Sequence, residues 1–145
     1  MRRIVWKAYF TFGLLNATLL LGVNSVVAQD IAFKDSAGGV QIAILYGDPA
    51  KPGLYVVRLK LPGGAKVMPH THPEDVRTLT VLSGTLYFGF GEQWDESKLT
   101  PYPAGTFFSE LPNVPHFVSA KGGEVIFQAT GIGPSALIPV QQSPK

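Results

Sequence analysis

Residues 63–84 read GGAKVMPHTHPEDVRTLTVLSG and residues 103–118 read PAGTFFSELPNVPHFV; between them they hold all three histidines of the 145-residue chain, His70, His72 and His116. In an extended backbone the side chains at i and i+2 leave on the same side, so His70 and His72 project together. Such a pair can chelate one metal ion when a third ligand arrives from another strand. His116 opens a candidate strand, and Pro115 fixes the backbone just before it. A His-x-His alone is often an accident of a surface or a core, but a chain that used histidine as filler would scatter some elsewhere. Imidazole suits Fe, Mn, Zn and Ni alike, so the residue type calls for one divalent transition metal without choosing it. Three protein ligands leave coordination positions open for water or substrate, as catalytic rather than structural sites do.

Outward from these segments the chain reads as short strands cut by Gly/Pro turns, with no long run of helical periodicity. The candidate strands are 40–46, 54–61, 77–83, 85–90, 106–110, 116–120 and 124–130, with 136–139 as a further one. Turn punctuation falls at GDPAKPG (47–53), PGG (62–64), Ser83-Gly84, PYPAG (101–105) and Gly122-Gly123. Many short strands at near-regular spacing predict an all-β sandwich or barrel. One helical turn is admitted in EQWDESKL (92–99), with Asp95 near its start and Lys98 near its end. No internal repeat or second domain is visible. The domain organisation expected is a leader over 1–28, an N-terminal mobile or edge segment over 29–39, a barrel over 40–140 and a frayed tail over 141–145.

The leader assignment rests on Arg2, Arg3 and Lys7 ahead of an uncharged apolar stretch from Ala8 to Ala28, with Val26 and Ala28 as small residues before a cut. That is the layout of a secretory signal and predicts a periplasmic or secreted mature chain of 117 residues. An uncleaved anchor is the competing reading, because 21 uncharged residues can span a bilayer. Asn16 and Asn24 interrupt the stretch and no positive cluster follows it, so no stable membrane insertion is expected after cleavage. Cleavage removes three of the twelve basic residues and none of the ten acidic ones, leaving a net charge of −1 and no basic footprint for nucleic acid. With no cysteine, neither a disulfide nor a lipid at the cleavage site is available, and a packed core must hold the fold alone.

The first segment resembles the first motif of the cupin superfamily, a Gly, a His-x-His, a Glu and a closing Gly, with Gly64, His70, His72 and Gly84 in register. The second resembles the second cupin motif, with Gly105, Pro112 and His116 as opening Gly, turn Pro and third His. The preceding LYGDPAKPGLYVVRLKLPGG (45–64) is similar to the lead-in of small single-domain bacterial cupins. The likeness spans roughly residues 40–140 and implies one jelly-roll β-barrel with its metal inside. Two positions depart from the pattern. Where the resemblance implies a metal-binding Glu stands Arg77, or Val76 with the shorter spacing; where it implies a turn Gly stands Asn113 or Val114. Asparagine can adopt the left-handed conformation a tight turn requires.

Arg77 alternates in phase with Leu79 and Val81 and so points to the core side of its strand. It is a candidate substrate-binding residue, clamping a carboxylate; alternatively it pairs with Glu74, Asp75 or Glu110 and braces the rim. Glu74 is a candidate fourth metal ligand, although Pro73 leaves its direction open and HPED also reads as an exposed turn. Tyr87 is a second candidate substrate contact. The aromatics Tyr87, Phe88, Phe90, Trp94, Phe107, Phe108, Phe117 and Phe127 are expected mostly in the core, some lining an apolar cavity. No activated nucleophile stands out: there is no cysteine, and Ser83 and Ser109 have no spare histidine. General acid or base work falls to Glu74, Asp75 or Tyr87. The expectation is a metal-dependent enzyme on a small organic substrate, carboxylate-bearing if Arg77 is a clamp, dioxygenase-like or an isomerase. The alternative is a non-catalytic module that binds or senses a small ligand. A homodimer is admitted.

Overall fold

The computed structural model describes residues 31–141, and within them all regular structure but two short 3-10 turns is β-strand. The strands are β1 (Lys34–Asp35), β2 (Gln41–Tyr46), β3 (Gly53–Leu61), β4 (Lys66–Thr71), β5 (Arg77–Ser83), β6 (Thr85–Phe90), β7 (Thr100–Pro103), β8 (Phe107–Glu110), β9 (His116–Ser119), β10 (Val125–Gly133) and β11 (Ile138–Pro139). They form two antiparallel sheets, one in the order β1-β2-β3-β10-β5-β8 and the other β11-β4-β9-β6-β7. The sequence-predicted leader over 1–28 and the tail beyond Gln141 lie outside the described residues.

Alternation dictates which side of each strand is buried. On β3 the inward set is Tyr55, Val57, Leu59 and Leu61; on β5 it is Arg77, Leu79 and Val81; on β10 it is Val125, Phe127 and Ala129. The second sheet contributes Val67, Leu86, Phe88 and Val118 from the opposite side. Apolar residues from two facing sheets therefore fill one space, which is the jelly-roll solution to burying two half-apolar sheets.

Two strands depart from the expected list. β4 and β7 carry Pro69, Pro101 and Pro103, and proline within a run argues for a turn. β7 tolerates its prolines because it is an edge strand, paired with β6 alone. In β4 the register against β9 slips between Val67 and His70: Val67 faces Val118, yet His70 faces His116, so three steps on β4 match two on β9. The extra residue is a β-bulge at Met68-Pro69, and it reverses the phase of alternation. Val67 and His70 consequently both point inward, although odd and even positions alternate elsewhere on the strand. The helical turn admitted over 92–99 is a 3-10 turn, Glu96–Lys98, with the Asp95 carboxylate accepting from the Ser97 amide. The segment before β2 is an edge strand, β1, followed by a 3-10 turn over Ala37–Gly39.

Asn113 adopts φ 59°, the one non-glycine residue with positive φ among the described residues. Its amide donates to the carbonyl of His72 at 2.8 Å. The turn where the sequence departs from glycine is thus tied to the backbone of a site histidine.

Candidate metal centre

His70, His72 and His116 converge inside the barrel, their candidate ligand nitrogens all within 4.8 Å of one another. His70 and His116 are a direct cross-strand pair, and His72 lies one residue beyond the end of β4. Each ring has its Nδ1 against a backbone carbonyl: His70 on Met68 at 2.8 Å, His72 on Ala136 at 2.7 Å and His116 on Val114 at 2.9 Å. A carbonyl can only accept, so Nδ1 carries the proton in all three rings and the Nε2 lone pair is free. This is the outer-sphere arrangement that orients metal-bound imidazoles. The Phe88 ring stacks on His116 at 5.1 Å and 13°, fixing its plane.

Burial keeps the imidazoles neutral. It drives the His70 pKa down to about 4, with His116 adding to the effect, and that of His72 down to about 2, with the Arg77 charge adding to it. The His116 pKa is lowered by burial as well. A protonated cluster would be costly here, and a neutral one presents three acceptors to the same space. His116 Nε2 is fully buried and has no hydrogen-bond partner. Buried polar atoms left without partners are rare in folded proteins, and a cation satisfies this one with the chemistry its neighbours also offer. The donor set therefore fits a divalent transition metal.

Beside the histidines lies a buried ionic network. Arg77 Nε donates to Glu110 Oε2 at 2.6 Å, while its Nη1 donates to the Tyr55 hydroxyl at 2.7 Å and to Glu74 Oε1 at 3.2 Å. Glu74 Oε1 also accepts from the hydroxyls of Tyr55 at 2.7 Å and Ser135 at 2.6 Å. Burial works against the Arg77 charge, but Glu110, Tyr55 and Glu74 outweigh it and raise its pKa. Burial pushes the Glu110 carboxyl up, opposed by the charge and hydrogen bond of Arg77. Glu110 Oε1 lies 3.4 Å from His116 Nε2, and its Oε2 lies 3.9 Å from His72 Nε2.

The histidines, Glu110 and Arg77 stand on the wall of a cavity of about 250 Å³. Much of the remaining wall is apolar, including Ile42, Val57, Leu59, Leu79, Val118 and Phe127. Ser135, Ala136 and Leu137, from the connection between β10 and β11, also line it. Ala136, which orients His72, is thus part of the cavity wall.

No protein-family model matches the chain. Among curated proteins, germin-like proteins 8-10 and 8-8 of Oryza sativa subsp. japonica are each 34% identical over 92 residues, covering 63% of this chain and 32% of theirs. The chain thus spans about a third of the length of these relatives. Among solved structures, the polyketide cyclase RemF from Streptomyces resistomycificus superposes with a TM-score of 0.66 at 15% identity, over 83% of this chain and 87% of that one. A predicted oxalate decarboxylase from Thermotoga maritima gives 0.61 at 21% identity, over 75% and 98%. An RmlC-like cupin from Shewanella frigidimarina gives 0.57 at 18% identity, over 81% and 91%. The chain has the cupin fold.

In this cupin barrel the sequence-predicted residues separate. His70, His72 and His116 are brought together. Glu74, a candidate fourth ligand on the sequence, is not in that cluster: the turn after Pro73 buries it completely and aims it at Arg77, Tyr55 and Ser135. Arg77 does reach the cavity wall, but it sits between two carboxylates, the bracing alternative rather than the free clamp. Tyr87 is displaced from the substrate role by alternation. Its neighbours Leu86 and Phe88 face the core, so Tyr87 lies on the outer side of β6 under the Lys121 ammonium, 4.4 Å from the ring centre. Asp75 is exposed. Among the expected aromatics, Phe127 lines the cavity, while Phe90 and Phe107 are exposed. Sequence reasoning gave Glu110 no place near the metal and did not single out Tyr55. The signal for Glu110 is the β5–β8 register, which sets it directly opposite Arg77.

Proposed function

We propose that this cupin is a metal-dependent enzyme acting on a small, uncharged, largely apolar molecule held beside the histidine cluster. The observation that carries the reading is the convergence of three buried histidines, each oriented by an Nδ1 hydrogen bond to a carbonyl that leaves its Nε2 lone pair available. A bound divalent ion supplies Lewis acidity there and, if iron or manganese, access to oxygen chemistry. The chain's own part is to seat the substrate against an apolar wall, exclude water and hold the ligands rigid. The one guanidinium on the cavity wall already has two carboxylates against it, so Arg77 has no free fork to offer an anionic ligand. This argues against the carboxylate-bearing substrate that Arg77 alone suggests.

The hydroxyls of Tyr55 and Ser135 are both committed to Glu74. Neither hydroxyl is therefore free to act as a nucleophile or base, and chemistry borne by the metal, as in a dioxygenase-like reaction, suits this site better than acid–base catalysis by these two groups. The same observation supports the second reading, a non-catalytic binding or sensing module. Export to the periplasm or outside the cell is part of the proposal and rests on the basic and apolar run over 1–28.

The test begins with elemental analysis of untagged protein and of His70→Ala, His72→Ala and His116→Ala. Wild type should hold one equivalent of metal and each variant should lose it; full retention in any two variants removes the shared site. Fe2+-loaded wild type is then screened against small neutral aromatics for oxygen uptake and product mass. Turnover that vanishes in the histidine variants supports the enzyme, and saturable binding without turnover supports the module.

A further inference from the structure

We infer that Glu110 is the fourth protein ligand of the metal, and that Arg77 is the residue that positions it. The inference rests on the metal reading of the three histidines. The position where the family resemblance implies a carboxylate holds Arg77 on β5, but its cross-strand partner on β8 is Glu110. A cation and a carboxylate facing each other across one pair of strands place the carboxylate's charge within a strand spacing of the expected position.

The geometry divides the two carboxylate oxygens between two tasks. Oε2 accepts from Arg77 Nε at 2.6 Å, whereas Oε1 faces His116 Nε2 at 3.4 Å. His116 Nε2 cannot donate, because the ring proton is on Nδ1 against Val114. Two acceptors thus face each other inside the protein, an arrangement that repels unless a metal ion, or a proton on the carboxyl, lies between them. The separation suits a metal ion: ligands about 2.1 Å from a metal, at angles between octahedral and tetrahedral, stand roughly 3.0 to 3.4 Å apart. Glu110 is 6% exposed at its side chain, so water does not offer its oxygens an easy alternative.

Arg77 makes this placement possible. Its Nη1 is anchored by Glu74 and Tyr55, and Glu74 is in turn held by Ser135. With the fork fixed at one end, Nε fixes Oε2, which also lies 3.9 Å from His72 Nε2, and leaves Oε1 facing His116 Nε2. The formal charges are also consistent: counting one guanidinium as +1 and two carboxylates as −1 each gives −1, so a dication brings the formal sum to +1 rather than the +3 that Arg77 without carboxylates would give.

The test is titration of Co2+ into metal-free wild type, Glu110→Gln and His70→Ala, read by calorimetry and by the visible absorption of the bound ion. Glu110→Gln keeps an acceptor for Arg77 but removes the anionic ligand. It should weaken Co2+ binding by at least the roughly 10- to 100-fold that loss of a mere supporting group costs, and should alter the spectrum of the ion that remains. Wild-type affinity with an unchanged spectrum in Glu110→Gln, while His70→Ala loses the ion, overturns the role of Glu110 and leaves the histidine site standing. Failure of wild type to bind Co2+ overturns both. Should Glu110→Gln not fold, the infrared difference spectrum of wild type with and without Zn2+ decides: a shifted carboxylate stretch is expected, and its absence overturns the inference.

Discussion

Arg77 and Glu110 face each other across the β5–β8 pair and are bonded at 2.6 Å, with both side chains under one-tenth exposed. A buried pair of this kind adds little to stability compared with apolar residues of the same shape, yet breaking it by removing one partner is costly. Arg77→Met leaves the carboxylates of Glu110 and Glu74 without their cation and should destabilise the protein by about 3 to 5 kcal/mol. The double variant Arg77→Met/Glu110→Leu should recover much of that loss, because only Glu74 then lacks its partner. Urea denaturation of the metal-free proteins measures both; equal instability in single and double variants would show that the two residues do not act as a pair.

The metal-free protein should lose stability as the solution is acidified from neutral pH. The three histidines have folded-state pKa values lowered by burial, to about 4 for His70 and about 2 for His72, so the unfolded chain takes up protons near pH 6.5 while the folded chain does not. Stability contributed in this way is complete above pH 6.5 and falls with decreasing pH, by about 1.4 kcal/mol per pH unit for each histidine. For His70 the fall ends near pH 4, where the folded form also protonates. Glu110, whose carboxyl burial raises, works in the opposite sense in its own titration range and shallows the slope. Denaturation midpoints at pH 7.5, 6.5, 5.5 and 4.5 decide the matter. A flat profile from 7.5 to 5.5 would mean that the imidazoles are not shielded from protons.

Tyr55 should matter to the site from a distance. Its hydroxyl donates to Glu74 and accepts from Arg77, and the side chain is fully buried. Tyr55→Phe removes that link and leaves part of two charged groups unsatisfied, for an expected cost of about 1 to 3 kcal/mol. Gly131 offers a second approach, because a Cβ there would meet the Tyr55 hydroxyl at 2.6 Å and the Val76 carbonyl at 2.8 Å. Gly131→Ala should therefore reproduce the loss of stability by displacing the hydroxyl instead of deleting it. Thermal melting of both variants checks this, and an unperturbed Gly131→Ala would show that Tyr55 can move freely.

How far the sequence discloses this site depends on what each feature requires. The strands with clean alternation, such as β3, β5 and β10, need only period two, and their inward faces follow without tertiary knowledge. Asn113 was legible too, since few residues other than glycine suit a left-handed turn, and it has φ 59°. β4 and β7 were hidden by their prolines, which are admissible only because one strand is bulged and the other lies on an edge. The fates of Glu74, Tyr87 and Glu110 were hidden for a deeper reason. Each depends on phase or on which strand lies alongside, and a slip of one residue reverses the face of a strand. Alternation places Arg77 on the inward face, but its partners are 33 residues away at Glu110 and 22 away at Tyr55, and no local pattern reveals them.

The cavity gives the last prediction. At about 250 Å³, with aliphatic and aromatic side chains over much of its wall, it exceeds the roughly 150 Å³ at which an apolar cavity already takes up benzene or xenon. The wild-type protein should therefore bind benzene, seen as ligand-induced shifts of the methyl resonances of Val57, Leu59 and Leu79, which face the space. Leu59 is the position at which to close it: it lies mid-strand on β3, opposite Ile42 on one side and Phe127 on the other, both cavity residues. Inserting bulk into a filled core costs about 1 to 3 kcal/mol, but bulk that enters an existing space does not have to displace its neighbours. Leu59→Phe should change stability by less than about 1 kcal/mol, suppress benzene binding and leave metal uptake as in wild type, because Leu59 is not one of the three clustered histidines. Full overpacking destabilisation would show that no usable space adjoins Leu59, and undiminished benzene uptake would place the apolar ligand elsewhere in the barrel.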